Sequence, residues 1–295
     1  MTRSSEPTGH GTGSAAGTDS PGATNGTDGT DSISCEGVGV TLSGSSGALD
    51  VLGGVDISVA RGEFVSILGT SGSGKTTLLR VLGGLLPATT GTVRCHGSVV
   101  TGPADGVVTV FQDYVHSLLP WRTVRRNVGL GIEAGCDRAE RDERVDEALI
   151  MVGLRQRADE YPWRLSGGMQ QRVQIARALA TRPRVLLMDE PFGALDAMTK
   201  ASLQDQLQQV QELTATTVVF VTHDVEEAVY LSDRVLVLDG SPAAIGLALD
   251  IPLERPRHQV TTKESADYLR LRHRVYEALG HDIGERARLG EHDHA

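Results

Sequence analysis

Short apolar runs alternate with amphipathic segments through most of the chain. Ile33 to Leu42 and Val51 to Val59 alternate apolar and polar positions and predict two strands; the small residues Ser43 to Gly47 between them predict a loop. Glu63 to Leu68 is a nearly unbroken apolar run and predicts a buried strand. Thr77 to Leu82 then reads as a helix that stops at Gly83-Gly84, with Pro87 just beyond. Short strands are expected at 91–94 and 107–111. Further strands are expected at 184–189, 216–222 and 234–239, with helices near 167–181, 197–213 and 224–231 between them. Strands and helices in alternation predict a mainly parallel sheet with helices on both faces, an α/β fold.

From Gln112 to Arg164 the texture becomes helical. Thr123 to Ala134 reads as one helix. Asp137-Arg138-Ala139-Glu140 is a capping signal that opens an amphipathic helix with Val145, Ala148, Leu149 and Val152 on one face. A last helix places Tyr268, Leu271, Val275 and Leu279 on one face, as packing onto a core requires. Residues 1–31 are Gly, Ser, Thr, Asp and Ala with almost nothing apolar, which predicts a disordered tail. Residues 281–295 read as a charged tail; its Glu291-His292-Asp293-His294 is better explained by solvation than by metal binding.

Composition narrows the function classes. The formal net charge of −10 argues against a nucleic-acid partner. Cys35, Cys95 and Cys136 are scattered without a CxxC pair, so neither a disulfide framework nor a thiolate metal site is implied. No apolar run approaches the roughly 20 residues of a membrane span, and no signal-peptide apolar segment is visible, so a membrane role would act through a partner.

The candidate chemistry centres on Gly69-Thr70-Ser71-Gly72-Ser73-Gly74-Lys75-Thr76, set between a strand and a helix and continued by Thr77. A polyphosphate must be met by several backbone N–H groups at once, so side chains must be absent; hence the glycines. The helix start adds unpaired N–H groups and partial positive charge. Lys75 supplies a cation for the β- and γ-phosphates, and the Thr76 hydroxyl a Mg²⁺ ligand. Val185 to Met188 ends in Asp189-Glu190, placing two carboxylates at a strand's carboxyl end beside that loop. Asp189 is positioned to hold Mg²⁺, and Glu190 to orient and deprotonate the attacking water. Leu165-Ser166-Gly167-Gly168-Met169-Gln170-Gln171-Arg172 opens a second helix N-terminus suited to a phosphate. One chain already has one cradle, so a second suggests a partner's nucleotide.

With that stretch the sequence resembles the ATP-binding subunits of ABC transporters over about residues 33–279. The resemblance implies a P-loop NTPase (RecA-like) core with a mainly parallel sheet, an antiparallel β subdomain, and an α-helical insert at about 113–178 within a domain of 32–280. It implies ATP and Mg²⁺ at Gly69 to Thr76. Gln112 would contact Mg²⁺ and water and link the site to the insert. Ser166, Gly167 and Gly168 would meet the γ-phosphate bound by the other subunit. Asp196 would lie on the loop crossing the dimer interface, and His223 would contact the γ-phosphate. The family's upstream aromatic, which stacks on adenine, is missing: its position falls near Leu42, and nothing aromatic lies between Cys35 and Glu63. Leu118-Leu119-Pro120-Trp121, Pro191 to Thr199, Val225 to Arg234 and Ile251 to Arg257 further resemble importers for nitrate, taurine and aliphatic sulfonates. That implies a homodimer or paralogue heterodimer at the cytoplasmic face of a membrane, a permease docked near Gln112–Trp121, and an external solute-binding protein. A soluble ABC ATPase is the main rival, though neither coiled-coil insertions nor tandem cassettes are present. A P-loop kinase or GTPase would lack the Leu165–Arg172 stretch.

Overall fold

The computed structural model describes residues 31–44, 47–113 and 117–290, with side chains described through 280. Of the tails expected at 1–31 and 281–295, residues 1–30 and 291–295 lie outside the described residues; Asp31 already opens the first strand, and 281–290 continue the last helix rather than starting a tail. A ten-stranded sheet forms the frame. Its strands are β1 (Asp31–Gly44), β2 (Gly47–Ala60), β3 (Phe64–Gly69), β4 (Thr90–Cys95), β5 (Ser98–Val99), β6 (Val107–Val110), β7 (Val185–Asp189), β8 (Thr217–Val221), β9 (Arg234–Gly240) and β10 (Ala243–Asp250). Their order is β5-β4-β1-β2-β10-β9-β3-β8-β7-β6. From β9 to β6 the neighbours run parallel; β1, β2, β4 and β5 pair antiparallel.

Burial follows from the strand composition. In β3, β7 and β8 every residue is buried, as unbroken apolar runs in a two-sided parallel sheet demand. Alternate residues serve opposite faces. Phe64, Leu68, Leu186, Met188, Val218 and Phe220 join one core. Val65, Ile67, Val185, Leu187, Val219 and Val221 join the other. The helices are α1 (Lys75–Leu82), α2 (Val124–Val128), α3 (Arg138–Met151), α4 (Gly167–Ala180), α5 (Ala197–Thr214), α6 (Val225–Leu231), α7 (Thr261–Glu264) and α8 (Ala266–Gly290). Val145 and Leu149 of α3 share a core with Val173 and Ala176 of α4, so the insert is fused to the sheet domain. Tyr268, Leu271 and Val275 of α8 are buried on the expected face, with Leu279 packed against them.

Three details differ from the sequence reading. The expected helix over 123–134 ends at Val128 and passes into a 3₁₀ turn over Gly129–Ile132. Gly129 and Gly131 carry no side chain to favour the longer helix. Asp137 caps α3 by accepting from the Glu140 N–H at 2.9 Å, but the Glu140 carboxylate turns to Arg144. Strand β10 was not expected. It is half-exposed and pairs antiparallel with β9, its register broken between Ile245 and Leu247, which blunts the pattern. Among the described residues no helix is long and apolar enough to cross a membrane.

Candidate functional site

The carboxyl ends of the parallel strands converge on one cleft. The loop after β3 carries the glycine-rich stretch, Gln112 follows β6, Glu190 follows β7, and His223 follows β8. Val51, Ser71, Gly72, Gly74, Lys75, Thr76, Thr77, Gln112, Glu190 and His223 line a cleft of about 590 Å³. Ligands of open α/β sheets bind at this end.

The loop is shaped by backbone that side chains would block. Gly72 and Gly74 hold φ of 81° and 83°, a left-handed conformation natural to glycine. A Cβ on Gly69 would sit 2.5 Å from Ser73 Oγ and 2.8 Å from the Leu238 carbonyl. Lys75 opens α1 and donates through Nζ to the carbonyls of Gly69 (2.9 Å) and Thr70 (2.8 Å), pinning the loop. Burial lowers its pKa, and the charges of Glu190 and Asp189 work against that. Ser73 Oγ is buried with no partner. Asp189 is buried; burial raises its pKa, while a hydrogen bond with Thr76 opposes the rise and Glu190 adds to it.

Glu190 occupies a second unusual backbone state, φ 45°, and its N–H is held by the Val221 carbonyl at 2.9 Å. This turn sends its carboxylate into the cleft. There Oε2 accepts from Gln112 Nε2 at 3.0 Å, and Oε1 lies 3.1 Å from His223 Nδ1. The structure thus brings Lys75, Thr76, Gln112, Glu190 and His223 to one place, with Asp189 hydrogen-bonded to Thr76 beneath it.

It leaves Ser166, Gly167, Gly168 and Asp196 out of that lining. Ser166 caps α4 by accepting from the Met169 N–H at 3.3 Å. A Cβ on Gly168 would lie 3.2 Å from Leu195 Cδ2 and 3.3 Å from the Ala194 carbonyl, so glycine permits a close approach to the 193–196 turn. The Ala194 N–H donates to buried Gln171 Oε1 at 3.2 Å, and Asp196 caps α5 through Thr199. The two stretches form one patch, separate from the cleft. Gln174 in the same helix donates to the Phe111 carbonyl at 2.9 Å, joining α4 to the segment that carries Gln112.

A family model described as ABC transporter matches residues 52–193. Nitrate transport protein NasD of Klebsiella oxytoca is 43% identical over 252 residues, 84% of this chain and 95% of its own length. The chain belongs to the ABC transporter family. Nitrate import ATP-binding protein NrtC of Synechococcus elongatus is 46% identical over 229 residues, 76% of this chain. Bicarbonate transport ATP-binding protein CmpC of that organism is also 46% identical over 228 residues. The chain spans about a third of the length of NrtC and CmpC. The dimeric structure of MJ0796, a bacterial ABC transporter cassette, matches with a TM-score of 0.67 at 33% identity, covering 74% of this chain and 98% of that one. The expected family and the P-loop NTPase fold are therefore those of the molecule, and an ATP-binding cassette is an ATPase module.

Two features of the ABC cassette's site escaped the sequence. One is Val51, an aliphatic residue of β2 that lines the cleft, while Leu42 is 40% exposed and is not among the lining residues. The second is a charged cluster behind His223. Lys200 Nζ sits 2.7 Å from Asp224 and 2.6 Å from Glu227, and Thr222 Oγ1 donates to Glu227 at 2.6 Å. Asp224 also caps α6, accepting from the Glu226 and Glu227 N–H groups. Burial pushes Asp224 up, but the hydrogen bond and charge of Lys200 hold it below the ordinary carboxylate range. Burial keeps Glu227 above that range despite Lys200.

Since Asp196 caps α5, Lys200 in that helix ties the 193–196 turn to the His223 loop. Lys200→Ala strands buried Glu227 and is expected to cost about 2 kcal/mol in urea denaturation at pH 7. The cost should shrink on acidification. Asp224, depressed when folded, contributes stability above its unfolded pKa and loses it as pH falls through its folded value. An unchanged denaturation midpoint at pH 7 would contradict this coupling.

Proposed function

We propose that the protein is the ATP-hydrolysing subunit of an importer for a small anion of the nitrate, bicarbonate, taurine or aliphatic sulfonate class. The convergence of Gln112 and His223 on Glu190, beside the glycine-rich loop, supports the catalytic half. The names of NasD, NrtC and CmpC support the transport half and favour an inorganic oxyanion.

ATP would lie with its phosphates over Gly69 to Thr77, where Lys75 meets the β- and γ-phosphates. The residues present fit a bound Mg²⁺: Thr76 Oγ1 and Asp189 form a hard-oxygen donor pair, and Gln112 adds an amide oxygen. Such an ion would neutralise phosphate charge. Glu190 orients and deprotonates the attacking water, Gln112 fixes the carboxylate, and His223 contacts the γ-phosphate. Ser166 to Gly168 and Asp196 lie outside this chain's cleft, which accords with two copies packed head to tail, each completing the other's site. Binding closes the pair and hydrolysis reopens it. Closure would be passed to a membrane permease through the segment from Gln112 to exposed Trp121.

A tagged pulldown from detergent-solubilised membranes tests the transport half. A multi-span permease at stoichiometric yield is expected. Recovery without a membrane partner would favour a soluble ABC ATPase. Base selectivity is the second test. An aliphatic base contact forgoes roughly 1 kcal/mol of stacking, so GTP should be hydrolysed within about fivefold of ATP. Strict ATP preference would contradict the aliphatic contact.

A further inference from the structure

At the opposite end of the sheet from the nucleotide cleft, five turns enclose a second cavity of about 230 Å³. Ser32 at the start of β1, Arg61 before β3, His96 after β4, Arg182 and Arg184 before β7, and Thr216 before β8 line it. The chain carries a net charge of −10, yet three arginines meet here and no lining residue is acidic. Arg182 is partly neutralised by Glu147 at 2.8 Å. Neither Arg61 nor Arg184 forms an ion pair among the described residues. Uncompensated guanidinium groups gathered round a concavity repel one another unless an anion joins them.

Two further observations point to a ligand. Ser32 is 1% exposed, and its hydroxyl is buried with no hydrogen-bond partner. Buried hydroxyls normally have one. Of the four non-glycine residues with left-handed backbone among the described residues, three line this cavity: His96, Arg182 and Ala215. Such strain persists where the surroundings over-determine it, and it gathers at functional sites; the fourth is Glu190. Burial and the charges of Arg184 and Arg61 together push the His96 imidazole below its ordinary pKa. The carboxyl ends of α4 and α5 lie at the cavity and oppose an anion. Each contributes roughly half a negative charge, less than the guanidinium groups supply.

We propose that this cavity binds a small inorganic oxyanion, held by Arg61 and Arg184 with Arg182. Guanidinium forks match oxyanion geometry, and the volume admits a sulfate- or phosphate-sized ion but not a nucleotide. The site is separate from the phosphate-binding loop. It joins the far ends of α4 and α5, whose near ends carry Ser166 to Gly168 and Asp196, so its occupancy can bias the dimer-facing patch.

Equilibrium dialysis of the full chain with radiolabelled sulfate, at constant ionic strength and with the nucleotide cleft saturated by Mg·ADP, tests the proposal. One sulfate per chain is expected, displaced by unlabelled phosphate and not by equal chloride. Arg61→Ala with Arg184→Ala should weaken sulfate binding at least about tenfold while Mg·ADP affinity stays unchanged. His96 offers a second readout: its imidazole pKa, followed by NMR, should rise when sulfate is added. No saturable sulfate uptake with the cleft blocked, equal displacement by chloride, or a double variant that binds like the parent would overturn it.

Discussion

Glu190→Gln is expected to lower ATP turnover at least about a hundredfold while leaving ATP affinity within about twofold. The reasoning starts from geometry. The left-handed backbone at Glu190 directs its side chain into the cleft, where Gln112 and His223 hold both carboxylate oxygens. Gln keeps the shape and one acceptor oxygen but cannot take a proton from water. Nothing in the glycine-rich loop changes, so the phosphates are met as before. Steady-state phosphate release and equilibrium nucleotide binding, measured on the same preparation, separate the two effects. Turnover at the parent rate would remove Glu190 from the chemistry and leave its backbone strain without a purpose.

Lys75→Ala is expected to act on the other quantity. It should weaken ATP binding by roughly 2 kcal/mol or more, about thirtyfold in Kd, and turnover should fall with it. Lys75 is buried against the loop, with Nζ on two carbonyls. Phosphate oxygens can replace those carbonyls as acceptors, and the charged donor makes the exchange favourable. Alanine loses the cation and also frees the loop carbonyls, so a modest loss of stability accompanies the loss of affinity. Calorimetric titration with ATP reads the affinity. A Kd unchanged by the substitution would contradict the assignment of this loop as the phosphate cradle.

What could be read from the sequence was whatever the local backbone demands. The glycines of Gly69 to Gly74, the buried run ending in Asp189-Glu190 and the Ser166 cap each announce a turn or helix start whose chemistry is confined to a few consecutive residues. The alternating strands were readable for the same reason: two buried faces leave unbroken apolar runs. Strand β10 was not, because it is half-exposed and its register breaks near Gly246. Nor was the long-range geometry. The contact of Gln112 with Glu190 spans 78 residues, and the Lys200 to Asp224 contact spans 24. The pairing of Lys200 with Asp224 and Glu227 emerges only when α5 and α6 are placed side by side. Val51 was not singled out because an alternating strand does not announce which of its residues lines a cleft built by distant loops. The roles of Ser166 to Gly168 were inferred from resemblance, and one chain cannot supply them to its own cleft.

The central claim is that two copies complete each other's ATP site. The most direct test is the solution mass of the Glu190→Gln variant by light scattering, with and without Mg·ATP. A monomer that becomes a dimer on adding Mg·ATP, and stays monomeric with Mg·ADP, is the predicted result. A monomer under saturating Mg·ATP would contradict the composite site.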